Sequence, residues 1–148
     1  MKNTLATMAA CLVLTSTSAM ADTQAFRGII GVAANIERDA AAISLDLKKK
    51  NFDTAKVKAD SEALGKDIAA LSADVDALDK TIADLGPQQK KNWELVKLKV
   101  QLLTIFHGHK SELLNADPTK NRSLIRAHAD GLAQRARMLQ ETANKLDR

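Results

Sequence analysis

The stretch DTAKVKADSEALGKDIAALSADVDALDKTIADLGP, residues 53–87, decides the fold. Within it Val57, Ser61, Leu64, Ile68, Leu71, Val75, Leu78, Ile82 and Leu85 alternate steps of four and three through four heptads. A sustained 3.5-residue period sets all of these side chains on one helical stripe and calls for left-handed packing against another helix. Asp53 offers N-cap chemistry at the start of the run. At its end Gly86 suits the left-handed position past a helix terminus, and Pro87 suits the first turn of the next helix.

The same spacing recurs on both sides. Upstream, Phe26, Ile29, Ala33, Ile36, Ala40, Ile43 and Leu47 share a stripe that ends in Lys48-Lys49-Lys50, cations suited to the negative end of a helix dipole. Downstream, Leu95, Leu98, Leu102, Ile105 or Phe106, His109 and Leu113 predict the apolar stripe of a third helix. Asn115-Ala116-Asp117-Pro118 is a stop followed by a cap and restart, and Ile125, His128, Leu132, Arg135, Leu139, Thr142 and Leu146 continue a fourth. The expected helices span about 23–48, 53–85, 88–114 and 118–147. Short loops between them force neighbours antiparallel, so the predicted fold is all-α: a single-domain, up-down-up-down four-helix bundle with coiled-coil-like packing over residues 22–148. Two long hairpins pairing in a dimer fit the same spacing. Ala33 and Ala40, with Ala59, Ala63, Ala69, Ala70 and Ala73 beside the second stripe, predict close approach of the first two helices.

Residues 1–21 read differently. Lys2 precedes an apolar run from Leu5 to Leu14, and Ser18-Ala19-Met20-Ala21 presents Ala at both positions that signal peptidase requires. The expectation is a secretory leader cleaved after Ala21, and hence a periplasmic or secreted protein. The apolar run is too short for a transmembrane anchor, which needs roughly 20 residues. Removing the leader leaves 127 residues with a net charge of +3, no Cys and one Met, Met138. Disulfide, thiolate and Met-rich copper chemistry are therefore excluded from the mature chain.

One Trp and no Tyr give no stacking platform, which together with export argues against nucleic acid as a partner. Lys48–Lys50, Lys90, Lys91, Lys97 and Lys99 read as solvated helix faces and ends, and secondarily as contacts for an anionic envelope component or an acidic partner.

All three histidines fall in the second half: His107, His109 and His128. His107 and His109 diverge by about 200° on a continuous helix, and could share a metal only if Gly108 breaks it. His109 and His128 both lie on predicted stripes, within about a turn of each other on facing helices. Two inward imidazoles could ligate a divalent metal such as Zn or Cu, or both axial positions of a haem b iron, with Asp130, Glu112 and Glu62 as accessory groups. The competing reading is a polar layer, in which the core His, Arg135 and Thr142 hydrogen-bond one another and acids such as Asp74 or Glu62.

The leader, the mature length and the four antiparallel helices are similar to those of the periplasmic b-type cytochromes built on four-helix bundles. That family ligates haem through a Met early in helix one and a His late in helix four. Here helix one contains no Met and residues 138–148 contain no His, so no ligand carries over.

Catalytic signatures are missing: there is no mature Cys, no Gly-x-Ser-x-Gly, no phosphate loop and no His-Glu-x-x-His. Ser111 near His109 and Ser123 near His128 are isolated hydroxyls. The expected function is that of a small exported, non-enzymatic bundle that binds a protein or envelope partner as monomer or homodimer. The alternative is a metal- or haem-binding bundle for electron transfer or metal handling.

Overall fold

The computed structural model describes the backbone of residues 5–82 and 85–146, with side chains from residue 23 onward within those ranges. The described residues form five helices joined by turns and contain no strand: α1 (Leu5–Asp46), α2 (Thr54–Thr81), α3 (Pro87–Gly108), α4 (Ser111–Asn115) and α5 (Arg122–Ala143). None of them is long and apolar enough to cross a membrane. The side chains of the expected leader lie outside the described residues.

The stripes read from spacing are the buried faces of α1 and α2. Phe26, Ile29, Ala33, Ile36, Ala40 and Ile43 are all buried on α1 and Leu47 just past its end, as are Val57, Ser61, Leu64, Ile68, Leu71 and Val75 on α2. Asp53 caps α2 as its residue type predicts, its carboxylate accepting the Lys56 amide at 3.0 Å.

The boundaries differ from expectation for local reasons. α1 begins at Leu5 rather than near residue 23. α2 ends at Thr81 rather than Leu85, because Ile82 turns to an extended ψ of 120° while its amide still reaches the Leu78 carbonyl at 2.8 Å. Gly86 does not adopt the left-handed conformation. At φ −60° and ψ 159° it is the extended N-cap of α3, the region to which a following proline drives its predecessor. Pro87 takes the first turn, as predicted. The expected third helix divides in two. The His109 amide still reaches the Ile105 carbonyl, but Lys110 bonds only three residues back, to His107, and leaves the helical region at φ −133°. The expected fourth helix starts late, because Asp117 folds Pro118–Asn121 into a turn, its Oδ1 accepting both the amide and the hydroxyl of Thr119.

α1 packs on α2 and α5, α3 packs on the same two helices, and α4 covers part of α2. The most extensive pair is α1 with α5, not α1 with α2. Ala33 and Ala40 meet a helix that buries Ala129, Ala136 and Ala143, whereas Ala59, Ala63, Ala69, Ala70 and Ala73 of α2 are exposed. Arg137 pairs with Glu37 at 2.7 Å across this contact. At its other end Arg122 donates to the carbonyls of Leu47 and Lys49, supplying a cation to the C-terminus of α1.

α3 departs most from expectation. Leu95, Leu98, Leu102 and Ile105 are 39%, 49%, 51% and 46% exposed, and the buried face is instead Trp93, Val96, Val100 and Leu103. Trp93 anchors that choice. Its ring lies 5.8 Å from Phe26 of α1, and its indole N–H donates to Asp79 of α2 at 2.6 Å. The Asp79 carboxyl is held below the usual carboxylate range by that N–H and by Lys97.

Candidate functional site

One helical turn of α5 and the end of α3 create the most unusual chemistry of the chain. His128 sits on the α5 stripe between Ile125 and Leu132 and is 2% exposed. Phe106 of α3 stacks on it at 4.8 Å between centroids, and His107 lies 6.2 Å away with its ring within 19° of parallel. Neither nitrogen of His128 has a hydrogen-bond partner among the described residues, and nor does Nδ1 of His107. Burial first, then repulsion from any proton on His107 and from the cationic Lys110 and Arg135, push the His128 pKa down to about 4; burial lowers that of His107. Both imidazoles are therefore neutral at pH 7.

The pair brought together is thus His107 with His128, and not His109 with His128. His109 is the exposed C-cap of α3. α3 does end at Gly108, yet this does not converge the adjacent histidines, because His107 turns toward α2. Gly65 of α2 makes room for it: a Cβ there would lie 3.3 Å from His107 Nε2. A recoverable signal for this face was the second series in the same run, Trp93, Val96, Val100, Leu103 and His107, which also steps by three and four.

As a ligand set the pair offers two nitrogens, enough for linear coordination but two donors short of tetrahedral zinc. No group of three or more His, Cys, Asp or Glu side chains that could hold a metal ion occurs among the described residues. Asp130 and Glu112 are exposed, as is Glu62, which shares the lining of a surface pocket with His107. Haem would have to displace Phe106, whose ring fills the space beside His128.

The mutually bonded polar layer is not formed either. Thr142 donates to the Met138 carbonyl at 2.8 Å and Arg135 to that of Gly131 at 3.0 Å, each side chain reaching back to its own preceding turn. Asp74 and Glu62 are exposed. Among the described residues, four side chains, one from each long helix, keep a buried polar atom without a partner: Ser44, Ser61, His107 and His128. Ser111 donates to the Gly108 carbonyl at 3.2 Å and Ser123 is exposed, so neither hydroxyl is set against an imidazole as a nucleophile would be.

Outside Phe106 lies a groove of about 460 Å³ between α3 and α5, walled by Leu102, Ile105, Phe106 and Met138. Arg135 lies over the Phe106 ring at 3.6 Å, and Lys99 completes the rim. Both are cations without a carboxylate partner among the described residues, in a wall that is otherwise mostly apolar. Toward the start of α3 the groove runs into the exposed stripe of Leu95 and Leu98.

Gly131 controls the wall between groove and histidines. A Cβ there would lie 2.6 Å from Phe106 Cζ, closer than any side chain tolerates. Gly131→Ala is expected to push Phe106 off His128 and wet the imidazole, so that its pKa rises toward the ordinary value; an NMR titration of the ring protons reads this. An unchanged pKa would show that Phe106 is not what keeps His128 dry.

No protein-family model matches the chain, and neither a curated protein nor a solved structure is detectably similar to it, so the functional reading rests on these surfaces alone.

Proposed function

We propose that this chain is an exported, non-enzymatic binding protein that docks a protein partner along the outer stripe of α3. In this reading residues 1–21 are a cleaved leader that delivers residues 22–148 to the periplasm or beyond. There α1, α2, α3 and α5 form an antiparallel, up-down-up-down four-helix bundle with heptad packing, and α4 is a remnant of the third segment. The contacts of α1 and α3 with both α2 and α5, and the heptad spacing of the buried stripes, support that architecture.

The observation that carries the function is the exposure of Leu95, Leu98, Leu102 and Ile105 at a and d spacing, continuous with the apolar groove. Scattered apolar residues on a surface need no explanation, but a contiguous heptad seam flanked by polar residues marks a protein interaction site. The histidines contribute by shaping the inner wall of this surface, through Phe106.

A photo-reactive phenylalanine analogue at Leu102, compared with one at the exposed Ala70 of α2, tests the reading in the native envelope. Adducts are expected from residue 102 and not from residue 70. No adduct from either, or equal adducts from both, would remove the docking role. N-terminal sequencing of the exported protein is expected to begin at Asp22.

A further inference from the structure

We propose that the partner on the outer stripe of α3 is a second copy of this chain, with the two α3 helices parallel about a two-fold axis. The proposal rests on the docking reading above and adds the occupant and its orientation. Assigning Leu95 and Leu102 to a, and Leu98 and Ile105 to d, gives a seam that two identical surfaces can share by interdigitation, as an isologous contact requires. Two heptads are short for an isolated coiled coil. Here α3 is already folded against α2 and α5, so association carries no cost of helix formation.

Charge selects the orientation. Glu94 precedes the seam at a g position; it pairs with Lys97 of its own helix at 2.9 Å, but its side chain is 58% exposed, so its second oxygen is open to another cation, and Lys99 follows Leu98 at an e position, half-buried and without an ion pair among the described residues. In a parallel pair the g residue of one helix meets the e residue five positions further along the other. Glu94 therefore reaches Lys99 of the second copy, and the symmetry makes the pair twice. An antiparallel pair would set e against e, bringing Lys99 against Lys99 and the two Arg135-bearing grooves against each other, four cations with no carboxylate between them. Met138, 46% exposed on the far wall of the groove, extends the seam. Two heptads make a small seam, so the expected dimer is weak and concentration-dependent.

The full exported chain, which lacks cysteine once the leader is removed, suits the test. Sedimentation from micromolar to submillimolar concentration is expected to show monomer passing to dimer. Leu98→Glu is expected to remain monomeric with unchanged helical circular dichroism. Lys99→Glu should weaken the dimer about tenfold, and mixing it with Glu94→Lys should restore it. Leu95→Cys and Ile105→Cys are each expected to form a disulfide dimer on their own. Cross-linking only in a mixture of the two would mean antiparallel helices, and a monomer at every concentration would mean no second copy; either overturns the proposal. The mass of the residue-102 photo-adduct separates this failure from failure of the docking reading. Twice the chain mass supports the second copy. A different protein or a lipid overturns it, the protein leaving the docking role standing, and no adduct removes both.

Discussion

Leu71→Ala is expected to lower the free energy of unfolding by about 2–5 kcal/mol. Leu71 is 1% exposed and lies mid-way along α2, with Ile68 and Val75 buried on either side of it on the same stripe. α2 packs there between α1 and α3, helices whose own buried residues are pinned by Phe26, Ile36 and Trp93, so the walls of a cavity could collapse only partly. The loss adds the transfer free energy of the deleted methyl and methylene groups to the dispersion contacts their neighbours forfeit. Equilibrium denaturation by urea reads it as a lower midpoint at unchanged slope. A loss below about 0.5 kcal/mol, the size of an ordinary surface substitution, would mean that the heptad stripe is not the core of this protein.

Acid should act through His128. Its folded pKa, about 4, lies below the ordinary 6.5, so between these values the unfolded chain takes a proton that the folded chain refuses. Stability is therefore full above pH 6.5, falls as the pH drops toward 4, and loses nothing more through this group below that. The shift corresponds to on the order of 3 kcal/mol, at about 1.4 kcal/mol per pKa unit. His107, shifted the same way by burial, steepens the fall. The charges on its neighbours, Lys110 and Arg135, are cationic and oppose protonation of His128 throughout. Asp46, held at about 2 by Lys49 and Lys56, adds its own acid loss below the range of His128. His128→Leu isolates the effect. Both ring nitrogens are unpartnered, so the substitution strands no donor or acceptor, and it should raise stability at pH 7 by about 1–3 kcal/mol while flattening the slope between pH 6.5 and 4. A variant with the wild-type slope would show that His128 is not the group being protonated.

How far the sequence could be read depended on how many apolar faces each helix carries. α1 and α2 have one, and every α1 stripe residue read from spacing is buried. The α5 stripe is equally legible at Ile125, His128, Leu132, Leu139, Thr142 and Leu146, with Arg135 half-buried where its guanidinium lies over the Phe106 ring. α3 carries two. Trp93, Val96, Val100, Leu103 and His107 step by three and four on one face, and Leu95, Leu98, Leu102, Ile105 and His109 do the same on the other. Periodicity assigns equal merit to both, so spacing alone does not say which face is core, and the series that ends in His109 lies outside because Trp93 is buried.

From its sequence alone this chain is all helical, with the stripes of α1, α2 and α5 inside and turns at the Lys48–Asp53, Gly86-Pro87 and Asn115–Pro118 punctuation. Those features follow from local chemistry: side-chain spacing, caps and the fixed φ of proline. Which face of α3 is buried was settled only by tertiary contacts, the Trp93 ring on Phe26 and its N–H on Asp79, together with the space that Gly65 and Gly131 leave for His107 and Phe106. Those contacts join residues up to 67 positions apart, Phe26 to Trp93. They put His107 rather than His109 beside His128, and they turned the expected core of α3 outward as a surface that another helix can cover.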